Sequence, residues 1–197
     1  MTPERSYGVL GVTAGLLGLG LVAAFAAGDF GLPGTAAYRV YETLNRLIAI
    51  PLLLMACGWL GLALALPKGY ARASAWLAFA AAVVMAAGTA AEFWLFSDQP
   101  YGVWTNGRMA SFMSFFVASL LLYVAATVVG VALWRSGAGS RVAAVVLMAA
   151  IPLYAAAILT LGSNFLAPAI LALAAGWAAI GSVETFRRNV STTAAPS

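Results

Sequence analysis

Long apolar runs recur along this chain and leave it little choice of fold. They cover approximately residues 7–27, 47–66, 74–96, 109–134, 142–161 and 165–183, each about twenty residues long and nearly free of charge. A helix rises about 1.5 Å per residue, so roughly twenty apolar residues match the roughly 30 Å hydrocarbon core of a bilayer. The rest of the composition agrees: 63% of the residues are hydrophobic and only 8% charged, where soluble domains carry about 25% charged residues. The expected fold is all-α, a polytopic integral membrane protein built as a bundle of six transmembrane helices. It forms one domain over 1–188, and the Ser/Thr/Ala/Pro-rich stretch 189–197 is expected to be a disordered tail. The first run exceeds the 7–15 apolar residues of a signal-peptide core, so it reads as a retained span.

Charge orders these spans. Arg5, Lys68, Arg72, Arg135, Arg141, Arg187 and Arg188 fall on one side of the expected bundle. Arg39, Arg46 and Arg108 fall on the other, accompanied by Asp29, Glu42 and Asp98. The positive-inside rule then predicts that both termini are cytoplasmic. Aromatic residues mark the two interfaces in the same sense, Tyr7, Tyr70, Trp76 and Trp134 inside, Tyr38, Tyr41, Trp94, Tyr101 and Trp104 outside. Arginine far outnumbers lysine, and Ala, Gly and Val abound, which suggests a GC-rich bacterial genome and hence a bacterial cell membrane.

Small residues predict which faces pack. Gly8, Gly11, Gly15 and Gly18 make a stripe along the first span, favouring close bundle packing over a dimer seam. On the third span, Ala78, Ala81, Met85, Gly88 and Glu92 share one face, and Trp76, Phe79, Val83, Ala90 and Trp94 the other. The first face should pack and the second should meet lipid, which turns Glu92 inward. The fourth span carries a mildly polar stripe, Ser119, Tyr123, Thr127 and Gly130, of a kind that usually bonds to its own or a neighbouring helix. Pro51, Pro152 and Pro168 interrupt the second, fifth and sixth spans, and broken helices often line sites.

The residue inventory excludes much chemistry. There is no histidine and one cysteine, Cys57, in an apolar run where it reads as a packed thiol. Bis-His haem ligation, His-based metal sites and Ser–His or Cys–His nucleophiles are therefore absent, as is an intrachain disulfide. The glycines of residues 11–20 lack the Lys-Ser/Thr of a phosphate loop. No cofactor is expected, and the scattered basic residues do not make a nucleic-acid footprint.

One polar cluster remains as a candidate ligand or ion-pair site. Glu42, Asn45 and Arg46 open the second span, Glu92 closes the third, and Asp98 and Arg108 flank the polar connection that follows. Consecutive spans usually pack side by side, which would bring Arg46 near Glu92. A structural ion pair closing the outer end outweighs a ligand- or proton-binding carboxylate there. The expected function is that of a non-catalytic accessory or scaffold subunit of a larger membrane complex. The alternative is a binder or transporter of a small apolar molecule such as a lipid, quinone or pigment. Expected partners are the lipid bilayer and other membrane subunits or further copies of the chain.

Overall fold

The computed structural model describes residues 2–28, 35–100, 103–137, 139–161 and 165–193, and these are helical apart from short connections. The helices are α1 (Pro3–Ala27), α2 (Ala36–Ala65), α3 (Tyr70–Ala90), α4 (Gly107–Ser136), α5 (Arg141–Met148), α6 (Ala150–Leu161) and α7 (Leu166–Thr193). A single π-helical turn, Ala91–Leu95, extends α3.

Local chemistry sets most of the ends. Pro3 begins α1, where its missing N–H is not needed. The side chains of Thr35, Asn106 and Ser140 accept from Tyr38, Met109 and Ala143 main-chain N–H groups, capping α2, α4 and α5. Gly137 closes α4 in the left-handed conformation (φ 64°) that glycine adopts without strain. α7 continues to Thr193, so part of the tail expected to be disordered is helical, since a helix already nucleated extends by one bond per residue. Residues 194–197 lie outside the described residues.

Four helical stretches are long and apolar enough to cross a membrane: Pro3–Ala27, Tyr38–Ala65, Tyr70–Leu95 and Gly107–Ser136. A fifth is added if α5 and α6, which meet at a 61° bend, are taken as one span, and Leu166–Ser182 is a shorter apolar stretch. The chain is thus an all-helical protein with four or five candidate membrane-spanning helices. The continuous fifth span expected over 142–161 is broken at Ala149, and α2 begins well before the apolar run at 47, taking in Tyr38–Arg46.

Packing follows the small residues. The glycine stripe of α1 faces α2 and α7: a Cβ on Gly11 would lie 2.7 Å from Gly58 Cα and 3.0 Å from Gly176 Cα. Three backbones therefore meet there at glycine-only distance, inside one chain. α1 and α7 run antiparallel, since Gly8 abuts Ala179 and Ile180 while Gly18 abuts Ala169. On α3 and its π turn Ala78, Ala81, Met85, Gly88 and Glu92 are buried as expected, and Trp76, Val83 and Trp94 are exposed. Phe79 and Ala90, expected to meet lipid, are instead half-buried, Phe79 packing against the core. Gly88 lies against Ser111 and Phe115 of α4 while Phe93, further along, meets Arg108, so those two helices are also antiparallel. One end of the bundle accordingly carries Arg5, Lys68, Arg72, Arg135 and Arg141. The other carries Arg39, Arg46, Glu92, Asp98 and Arg108. Asp29 and Tyr101 lie outside the described residues.

Candidate functional site

The end holding Glu92 is closed by arginines that bond to the main chain. The π turn starts it: Phe96 N–H reaches the carbonyl of Ala91, five residues back, at 2.9 Å, and the α-helical ladder ends there. The carbonyls of the last turn then lack helical donors. Arg46 supplies one from α2, its Nε donating to the Phe93 carbonyl at 3.0 Å. A guanidinium at a helix C-terminus also meets the negative end of the helix dipole.

Arg108, in the first turn of α4, holds the connection that follows. Its Nη1 donates to the carbonyls of Ser97 (2.9 Å) and Gln99 (3.0 Å). Its guanidinium also lies 5.9 Å from the centre of the Phe93 ring, a cation–π distance. Gln99 returns the contact, its side-chain Oε1 accepting from Arg108 N–H at 3.2 Å. Asn106 caps α4 through Oδ1 and donates through Nδ2 to the Pro100 carbonyl at 2.7 Å. Phe93 is thus fixed twice, its carbonyl by Arg46 and its ring by Arg108.

Glu92 and Arg108 are the charged residues buried among those described, at 5% and 6% exposure. Both bear electrostatically on the Tyr41 side chain. Asn45 Nδ2 donates to the Tyr41 carbonyl at 2.9 Å. Tyr41 stacks on Tyr38 and meets Phe25 of α1 edge-on. Of the residues expected to cluster, Asn45, Arg46, Glu92 and Arg108 therefore come together at one end. Glu42 is half-buried on α2 and Asp98 is exposed in the connection. Arg46 reaches from α2 to the main chain of Phe93, the residue after Glu92.

Tyr41, Phe93, Gln99 and Asn106 are members that the sequence did not single out for this site. Tyr41 lies one helical turn before Asn45, a spacing that could have drawn it in. Gln99 shows no pattern, because its role depends on how the connection folds. Among the described residues no group of three His, Cys, Asp or Glu side chains comes together as a metal ion would require. Arg46 Nε, Arg108 Nη1 and Asn106 Nδ2 each donate to an internal carbonyl, an arrangement that cross-braces three chain segments. Compared with known protein families, curated protein sequences and solved structures, the chain matches none of them.

Proposed function

We propose that this protein is a non-catalytic accessory or scaffold subunit of a larger complex in a bacterial cell membrane. In this reading the chain crosses six times, with α5 and α6 forming one bent crossing, and both termini face the cytoplasm. The observation that carries the reading is the use of both buried-end arginines on main-chain carbonyls. A transport mouth or active site needs polar groups free to meet a ligand, and here they lock α2, α3 and α4 together.

Three further features support it. The end bearing Arg5, Lys68, Arg72, Arg135 and Arg141 fits the cytoplasmic side by the positive-inside rule. Trp94 and Trp104, 65% and 71% exposed at the opposite end, fit an outer interface belt. An apolar groove of about 480 Å³ between α3 and α4, with Ala80, Ala81 and Ala118 among its lining residues, offers small side chains of the kind found where membrane helices pack.

Purification of the full chain from its own membrane in mild detergent, followed by native mass spectrometry, tests the reading. A second polypeptide in fixed stoichiometry, released by an Ala80→Trp substitution in the groove, is the expected result. A chain that runs alone under conditions preserving other membrane complexes would sink it.

A further inference from the structure

On α4, Ser119, Tyr123 and Thr127 follow one another at four-residue spacing, and two of the three hydroxyls are satisfied within the helix. Ser119 Oγ donates to the Phe116 carbonyl at 2.7 Å and Thr127 Oγ1 to the Tyr123 carbonyl at 2.9 Å. Tyr123 differs. It is 2% exposed, and its hydroxyl has no hydrogen-bond partner among the described residues. A buried O–H without an acceptor is costly and uncommon in folded proteins, so such a group asks for a role.

Tyr123 is covered by the second half of a broken helix. Gly130 lets α5 cross α4 closely, for a Cβ there would fall 2.5 Å from Met148 N and 2.8 Å from the Ala144 carbonyl. Directly after this crossing the chain bends by 61° between α5 and α6. Pro152, in the first turn of α6, has no N–H to give the Met148 carbonyl, so the helical ladder is weakened at the bend. The new direction lays Tyr154 on Tyr123, ring centres 4.4 Å apart and planes inclined by 27°. α6 buries Ala150 and Ala157 and presents Ile151, Ile158 and Leu159 outward. The cover over Tyr123 is therefore a short helix held along a narrow face, with an apolar surface toward the bilayer.

We propose that the contact between α4 and α6 is a binding site for an apolar molecule bearing a carbonyl group, reached from the hydrocarbon side. Tyr154 gives way, and the Tyr123 hydroxyl donates to the carbonyl oxygen. The chemistry of the place selects this class. It offers the buried Tyr123 O–H, with that of Tyr154 on the ring stacked over it, among aliphatic neighbours and no charge, and it lies under a face of Ile and Leu, so the ligand is bilayer-soluble and supplies the acceptor. A quinone ring and the ester of a glycerolipid both have that carbonyl. The site is separate from the arginine-braced end and does not rest on the scaffold reading.

The test uses the full chain in detergent micelles, titrated with decylubiquinone, with a short-chain diacyl phosphatidylcholine and with its dialkyl ether counterpart, which lacks the carbonyls. Thermal unfolding is followed throughout. A saturable rise in Tm with the quinone or with the diacyl lipid, exceeding any rise with the ether lipid, is expected, and the probe that gives it identifies the source. Tyr123→Phe keeps the ring and the stack but should weaken that binding about fivefold, the worth of one neutral hydrogen bond. Without ligand this variant should unfold no earlier than the wild type, since it loses only an unsatisfied hydroxyl. No rise with either carbonyl probe, equal rises with the diacyl and ether lipids and none with the quinone, or undiminished binding by Tyr123→Phe overturns the proposal. So does a Tyr123→Phe chain that unfolds far below the wild type.

Discussion

Arg46 and Phe93 stand 47 positions apart, and the guanidinium Nε of one donates to the main-chain carbonyl of the other at 3.0 Å. The bond joins α2 to the π turn ending α3, at the place where that turn leaves its carbonyls without helical donors. A hydrogen bond with one charged partner contributes about 1.5–3 kcal/mol. Arg46→Ala should therefore lower stability by about 2 kcal/mol, measured by unfolding in detergent. Arg46→Lys should recover part of it, because an ammonium can reach a carbonyl but lacks the fixed Nε–H direction. An Arg46→Ala chain as stable as the wild type would remove the brace from the account.

Glu92 and Arg108 carry opposite charge in the same dry end of the bundle, both within electrostatic reach of Tyr41. A buried charge deprived of its compensating neighbour is strongly destabilising, while removing both charges together costs less. Glu92→Gln and Arg108→Met should each destabilise the protein by about 2–4 kcal/mol, with Arg108→Met the more severe because it also frees the Ser97 and Gln99 carbonyls. The double variant should be less destabilised than the sum of the two by about 1–3 kcal/mol. Strict additivity in that cycle would show that the two charges do not sense each other.

How much of this was visible beforehand differs from helix to helix. The packed face of α3 was legible because Ala78, Ala81, Met85 and Gly88 recur at helical spacing opposite Trp76, Val83 and Trp94, whereas Phe79 and Ala90, at the margin of the outer face, are half-buried. The inward turn of Glu92 came with that pattern. The π turn was not legible: its widened register depends on what meets the free carbonyls, and Arg46 arrives from another helix. The break at Ala149 was half legible. Pro152 announced an interruption in the turn before it, since it has no N–H for the Met148 carbonyl, and the break falls there. The size of the bend, 61°, was not legible, and the close crossing of α5 over Gly130 next to it is a contact that no single stretch of sequence contains.

The glycine seam of α1 makes a prediction with its own control. A Cβ at Gly11 would lie 2.7 Å from Gly58 Cα, and one at Gly176 would lie 2.5 Å from the Gly8 carbonyl, backbone atoms that cannot swing aside. Gly11→Ala and Gly176→Ala should each force α1 away from its neighbours and lower stability by about 1–3 kcal/mol. Gly20 sits in the same helix with nothing within 4 Å of the added carbon. Gly20→Ala should be neutral or stabilising by up to about 1 kcal/mol, since alanine is the better helix former. Equal effects at Gly11 and Gly20 would mean that helix propensity, and not the close approach of three backbones, governs the seam.

Orientation can be read with a single thiol. Cys57 is half-buried on α2, so a Cys57→Ala background leaves a clean reporter. Asp98 and Lys68 are both exposed, one at the arginine-braced end and the other at the strongly basic end. If the basic end is cytoplasmic, a membrane-impermeant maleimide added to intact cells should label Asp98→Cys and leave Lys68→Cys untouched until the membrane is permeabilised. If the chain also crosses six times, a tag placed after Ser197 should be protected from external protease in the same cells, because an even number of crossings returns the chain to its starting side. Labelling of Lys68→Cys in intact cells would invert the orientation. A digested tag together with a protected Lys68→Cys would mean that α5, α6 and α7 do not complete two crossings. The bent pair α5–α6 is where an odd number would arise, so the tag reports on the same break that lays Tyr154 over Tyr123.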